Sequence, residues 1–478
     1  MEAEPAPASA ARVGYLQATP ILTINQVHAY SCAMADAGCP PKHWELNESI
    51  PDRMPVLERW LERAAQERPL AGVTALLMQH QLGNQVPQTR ALIELGVAPR
   101  DLYWIDIPYT SNAAVREALR GLGIPAENLF VSDFRLLDDY APHQRLRVQG
   151  FLRDLFQHPP TCLLVLDDGS YLLEALSCLR RRLPRVAIVE QTTRGLIKIE
   201  DSAALESCAG EFPIVNVARS RPKMTLEPPF IGIAVCDALR RKLGAALKAG
   251  PADRCLVLGY GAIGEQVAAF LNSTLGFARD HVHVCDPDAA RARTAAAAGY
   301  ATWARGDHGF RFKVVIGCSG RASFKLGDHV LLEDGAFLAS ATSGTVELSR
   351  EQFIELADAS PFDDIWIDRD GLDETNLHSD VRFHFIDRDV TFVNGGFPAN
   401  FDGRVNCVPA HYIQPTPTMM CAAAVQAVCA TSRGLIDLDP GFCRWLAMEF
   451  RRELADEAHL VADGVGEGSG VSAPSSGR

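Results

Sequence analysis

Gly259, Gly261 and Gly264 form a G-x-G-x-x-G within RCLVLGYGAIGEQVAAFL, between an apolar run and a helical pattern. In such a loop the first glycine permits a tight turn and the second lets the backbone approach a pyrophosphate. The third lets helix and strand pack closely. Ala262 and Ile263 open the helix, whose N-terminal amides would face the phosphates. Asp286 ends the next apolar run, HVHVCD, 22 positions after Gly264. A carboxylate there accepts hydrogen bonds from a ribose diol and repels a 2′-phosphate, so these residues predict an NAD site. Asp286 also has a plainer reading, as the cap of the following helix, and the two readings are compatible.

A second polar cluster, VEQTTRG at 189–195, follows the apolar RVAIV. Polar residues at the end of a buried strand occupy the place where α/β proteins put their ligands. TCLLVLDDG (161–169) has the same form, running into two aspartates and a glycine.

The elements that must hold these clusters alternate along the chain. MPVLERWLERAAQ (54–66) places Leu57, Trp60, Leu61 and Ala64 on one helical face. GVTALLMQ (72–79) predicts a buried strand, QTRALIELG a helix stopped by Gly96, and DLYWIDIP (101–108) the next strand. SNAAVREALRGLG predicts a helix capped by Ser111 or Asn112. A second series starts near 253 with the glycine loop and continues through HVHVCD, FKVVIGCSG (312–320) and GAFLASATSG (335–344). A polar loop, NGGFPANFDGRVNC, and a helix, PTMMCAAAVQAVCA, close it. The alternation predicts an α/β protein with two doubly wound parallel sheets. By composition, residues 1–15 and the Gly/Ser-rich stretch 463–478 are expected to be flexible.

The 478 residues carry 46 basic and 59 acidic side chains, a net charge of −13, which gives no broad electrostatic reason to bind nucleic acid. The densest basic patch, LRRRLPR (179–185), reads as a solvated helix end. No run reaches the ~20 apolar residues of a membrane span, and the acidic, Ala/Pro-rich start is unlike a signal peptide. The 13 cysteines show no CxxC pair and no Cys/His metal spacing. Cys255, Cys285 and Cys318 fall in apolar runs, as expected of thiols in a reducing cytoplasm, and no metal site is predicted.

The order MPVLERW, LLMQHQ, LDDGS, EQTTRG, NVARSRPK, GYGAIG, ATSGTVEL and GRVNC resembles S-adenosylhomocysteine hydrolase (adenosylhomocysteinase) over about residues 45–435. The spacing from His80 to Gly96 fits that family without a gap. The resemblance implies a substrate domain (16–228 and 396–462) with a Rossmann NAD-binding domain (229–395) inserted in it, joined by hinges. It implies a bound NAD that oxidises a ribose 3′-hydroxyl, acidifies the C4′ hydrogen and so expels the 5′ substituent, before water adds and the ketone is reduced. Lys223 falls where the family's lysine meets the 3′-hydroxyl, Glu227 where it has an aspartate, and His80 at its histidine near the 5′ position. Thr192 lies in the substrate stretch, and Asn406, in GRVNC, at the cofactor.

The departures cluster on the substrate side. Asn112 stands for an aspartate and Gln191 for a glutamate that holds ribose hydroxyls. Ser343 and Gln414 stand for histidines, and Leu82 and Asn84 replace residues that read adenine. Val284 occupies the usual ribose-binding glutamate position, leaving Asp286 to act from two residues further on. The family's C-terminal Lys/Tyr tail is replaced by a Gly/Ser tail, which weakens the expectation of its tetramer while leaving self-association open. Two function classes follow. One is an NAD-dependent enzyme that oxidises a secondary hydroxyl of a nucleoside or sugar alcohol through Lys223, followed by elimination or release of the ketone. The other is an NAD-binding sensor whose substrate chemistry has been replaced.

Overall fold

The structure is a computed structural model. It describes residues 48–178, 185–244, 252–359 and 364–464, with 44, 46, 246, 247 and 250 besides, and no side chain from 456 onward. The expectations for 1–15, for most of the basic patch at 179–185 and for the tail beyond 464 lie outside these residues.

Six strands come first: β1 (Thr74–Gln79), β2 (Leu102–Asp106), β3 (Leu129–Phe130), β4 (Cys162–Asp167), β5 (Arg185–Glu190) and β6 (Pro213–Asn216). Eight follow, β7 (Cys255–Leu258), β8 (Val282–Cys285), β9 (Ala301–Thr302), β10 (Phe312–Gly317), β11 (Leu332–Ser340), β12 (Ile365–Ile367), β13 (Val381–Phe385) and β14 (Arg388–Phe392). The chain then returns to the first sheet with β15 (Gly434–Asp437). The first sheet has the order β15-β6-β5-β4-β1-β2-β3 and is parallel throughout. The second runs β12-β13-β14-β11-β10-β7-β8-β9. Its strands from β14 to β9 are parallel, whereas β13 and β12 add an antiparallel edge that the strand-helix alternation did not predict.

Burial accounts for this architecture. All six residues of β4, CLLVLD, are buried, as befits a strand covered by helices on both faces. The helix Pro415–Cys429 is apolar almost all round and packs across β4, β5 and β6. The helix Pro55–Ala64 instead buries one stripe, Val56, Leu57, Trp60 and Leu61. Pro228–Leu243 links the two sheets and packs on Ala262–Leu275. Gly232 makes that crossing possible, because a Cβ there would come within 2.6 Å of Gln266.

In both sheets the order reverses beside the first strand, between β1 and β4 in one and between β7 and β10 in the other. Open α/β sheets bind ligands outside the carboxyl ends of strands at such a reversal. Register decides who stands there. Met78 pairs with Asp167 and Asp167 with Glu190, so the next residues, Gln79 and His80, Asp168 and Gln191, emerge at one edge.

Candidate functional site

At the first reversal His80 is buried between Phe401, 4.2 Å from ring centre to ring centre, and Tyr109 at 5.6 Å. Its Nδ1 lies 3.0 Å from Thr110 Oγ1, and Thr110 spends its only hydrogen on the Ile107 carbonyl. Nδ1 must therefore carry the proton and donate to Oγ1, leaving Nε2 as an acceptor. Nε2 faces Asp168 Oδ2 at 3.3 Å. Burial, helped by the charge of Lys223, lowers the His80 pKa to about 3. Burial, then Glu190, raises that of Asp168 to about 8, and Glu227 adds to it. At neutral pH the two groups are a neutral imidazole and a neutral carboxylic acid, not an ion pair. Neither Asp168 oxygen completes a hydrogen bond, a costly state for a buried acid and the mark of a group aimed at a ligand.

Lys223 and Glu227 sit on one turn of helix, with Nζ 2.6 Å from both carboxylate oxygens. Thr416 Oγ1 donates to the same carboxylate. Both charges act on Asp168, and Lys223 on His80, so the four residues form one cluster. Asp168 and Thr416 were not singled out from the sequence. The doubled aspartate in LDDGS was the available signal, since Asp167 is consumed in capping, accepting from the amides of Tyr171 and Leu172.

The neighbouring amides are tied into the protein. Asn112 Oδ1 accepts from the amides of Ala114 and Val115 and so caps the helix Ala113–Gly121. Gln191 Oε1 accepts from Gln79 Nε2 at 2.5 Å, and Gln88 in turn donates to Gln79. Gln414 is fully buried, with Oε1 accepting from Val56 N and Nε2 donating to the His411 carbonyl. Both ends of its amide are thus engaged within the protein. Thr192 caps the helix Thr193–Glu200 and donates to Glu190. Glu190 also accepts from Ser170 and from the amides of Gly169, Ser170 and Thr192, which binds the two strand ends together. A cavity of about 10 Å³ beside His80, lined by Leu82, Ser111, Asn112, Phe401 and Arg404 among others, has room for roughly one water. A wider groove of about 560 Å³ between Pro55–Ala64 and Gln85–Glu94 contains none of these residues.

At the second reversal the glycine loop has the expected form. Gly259 adopts φ +96°, and a Cβ there would meet Ser319 Cα at 2.9 Å. A Cβ on Gly264 would collide with the Gly259 carbonyl. Gly261, by contrast, has open space apart from Arg291 Nη1 at 3.7 Å, a cradle that suits a phosphate group. Ala262 and Ile263 begin the helix there. Asp286 Oδ2 accepts from Tyr260 N at 2.7 Å and Oδ1 from Asp288 N at 2.9 Å. Asp286 thus braces the loop, and Asp288 is the cap of the next helix. Asn406 Nδ2 donates to the Ser49 carbonyl, and its side chain abuts Gly83.

No protein-family model matches the chain. Uncharacterized proteins from two strains of Mycobacterium tuberculosis are 29% identical over 384 residues, covering 77% of this chain and 67% of theirs. S-inosyl-L-homocysteine hydrolase of Methanopyrus kandleri is 25% identical over 330 residues, 68% of this chain and 72% of that protein. This weak homology agrees in kind with the resemblance drawn from the sequence. Among solved structures, dipicolinate synthase, A chain, from Bacillus subtilis matches at a TM-score of 0.31 with 11% identity, covering 70% of this chain and 93% of that one. Among the described residues no helix is long and apolar enough to cross a membrane, and no cluster of His, Cys, Asp and Glu forms a metal site.

Proposed function

We propose that this chain is an NAD-dependent enzyme that oxidises a secondary hydroxyl of a ribose-bearing small molecule, with elimination at the neighbouring 5′ position as the step that follows. The observation that carries this reading is the pair His80 and Asp168 at the carboxyl ends of β1 and β4, on which the charged pair of Lys223 and Glu227 acts. Gly259, Gly261, Ala262, Ile263 and Gly264 would hold the dinucleotide, with Asp286 keeping their loop in shape. When bound, it supplies a hydride acceptor for the carbinol carbon.

The protein's own part is proton handling. Lys223 Nζ, 2.6 Å from Glu227, passes a proton to that carboxylate and, as the neutral amine so formed, takes the hydroxyl proton. Asp168, protonated below about pH 8, donates at the leaving group. His80 Nε2, an acceptor 3.3 Å from Asp168 Oδ2, positions that acid. Phe401 and Tyr109 exclude water from the pair.

The absorbance of the purified protein, before and after addition of adenosine, inosine and simple ribosides, tests the reading. A reduced-nicotinamide band with any of them is the expected result, and its loss in Lys223→Ala assigns the base. A second reading, an NAD-binding sensor, is favoured by the engaged amides of Asn112, Gln191 and Gln414 and by the small cavity beside His80. Saturable binding of a nucleoside with no band and no turnover would select it.

A further inference from the structure

Asp286 follows β8, where a carboxylate that reads an unmodified ribose has to show its oxygens to the diol. It does not show them. Oδ2 accepts from Tyr260 N at 2.7 Å and Oδ1 from Asp288 N at 2.9 Å, and only 3% of the side chain is exposed. Val284 and Cys285, the two residues before it, carry no carboxylate that could take its place.

Arg291, in the first turn of the helix Ala289–Ala297, extends to the same corner. Its Nη1 lies 3.7 Å from where a Cβ on Gly261 would stand, at the opening of the glycine loop, and 3.8 Å from Asp286 Oδ2. Nε lies 3.8 Å from Asp288 Oδ2. Both ion pairs are longer than a hydrogen bond, so among the described residues no N–H of this guanidinium is spent, and the side chain is 56% exposed. Other arginines of this domain are committed: Arg305 to Asp328 and the Ser323 carbonyl, Arg279 to the Ala298 carbonyl and the ring of Tyr300.

Two acids near a phosphate would ordinarily repel it. The charge of Asp286, though, is met by two backbone amides, and Asp288 is half-exposed, caps its helix through Ala290 N and is screened by water. Long, exposed ion pairs such as those of Arg291 are weak. A guanidinium in contact with a phosphate makes two parallel, charge-assisted hydrogen bonds, which neither carboxylate offers it here.

We propose that Arg291 binds the 2′-phosphate of a phosphorylated dinucleotide, so that the cradle takes NADP(H) as well as NAD(H). The inference rests on the dinucleotide reading above and names a second form of cofactor for that site. It reverses the expectation that Asp286 excludes a 2′-phosphate, since that carboxylate is turned into the loop.

Fluorescence titrations of NADPH and of NADH into the wild-type protein, Arg291→Ala and Arg291→Lys test it, at two salt concentrations. The wild-type protein should bind NADPH with an affinity within about tenfold of that for NADH, and NADPH binding should weaken more steeply with salt. Arg291→Ala should lower the affinity for NADPH relative to NADH by about tenfold or more and remove the difference in salt dependence. Arg291→Lys should restore part of the ratio. Thermal melting without ligand checks that each variant is folded, and Arg291→Gln replaces the alanine variant where that one is not. A wild-type preference for NADH of more than tenfold overturns the inference, as does a ratio that Arg291→Ala moves by less than threefold, and both leave the dinucleotide reading intact. Binding of neither nucleotide by the wild-type protein overturns the dinucleotide reading itself.

Discussion

At the scale of single residues the decisive feature is a proton on a buried carboxylic acid. Asp168 holds it because burial and Glu190 penalise the anion, which puts its pKa at about 8. Turnover that needs this donor should therefore fall as pH rises through about 8, and a pH-rate profile of Asp168→Asn should lose that limb together with most of its rate. Stability has its own sign. The folded pKa lies above the ordinary 3.8, so the Asp168 contribution is complete below about pH 4 and is lost as pH rises to about 8. His80 acts in the opposite sense, because its folded pKa of about 3 lies below 6.5, and its contribution is lost as pH falls through that window. Urea midpoints of Asp168→Asn across pH 5–9 should be flatter than those of the wild type. Lys223→Ala should lower kcat by about 10²-fold or more, the usual worth of a positioned base, whereas KM should move far less. Of these residues His80, Lys223 and Glu227 were legible from the chain, by resemblance. Asp168 was not, because nothing in the string LDDGS says which aspartate is spent on backbone amides and which is left without a partner.

At the scale of elements, short loops at the two sheet reversals are held by buried carboxylates used in the same way. Glu190 gathers the donors of 169–170 and Thr192, and Glu347 gathers those of 319–323. A helix end accounts for one of the departures noted in the sequence. Asn112 is a cap, so Asn112→Ala should cost about 1 kcal/mol in a melting or denaturant experiment, with ligand affinity changed less than stability. A loss of affinity with unchanged stability would instead assign Asn112 to the ligand. Gly264→Ala should abolish dinucleotide binding in an equilibrium titration and lower stability by about 1–3 kcal/mol, because the new Cβ meets the Gly259 carbonyl, which cannot yield without opening the turn. The strands and helices themselves were legible because each is a run of strong periodicity bounded by Gly, Asn or Pro. The antiparallel edge of β12 and β13 was not, since strand direction leaves no mark in a short apolar run.

For the whole molecule the two sheets are joined by more than covalent linkers. Tyr109 OH accepts from the Gly344 amide, and the fully buried Arg350 donates to the carbonyls of Leu136 and Asp138 across the boundary. Arg350→Ala should strand those carbonyls and cost about 2–4 kcal/mol, read as a lower Tm or as separate transitions for the two halves in calorimetry. Saturating dinucleotide should raise Tm, by about 2.7 kcal/mol of stabilisation at a hundredfold excess over Kd.

What the chain determined alone is local and periodic. The alternation of apolar runs and amphipathic stretches specified two α/β sheets, and three glycines at fixed spacing specified the turn over which a dinucleotide would lie, because only a residue without Cβ fits Gly259 and Gly264. The tertiary structure decided which polar groups remain free. Hydrogen bonding is settled between residues far apart in sequence: Gln414 with Val56, Gln191 with Gln79, Tyr109 with Gly344 and Arg194 with Gly320. Each bond either removes a side chain from the chemistry or directs it there. Composition and spacing cannot express that choice, since it depends on which donors and acceptors the packed sheets bring within 3.5 Å of each other.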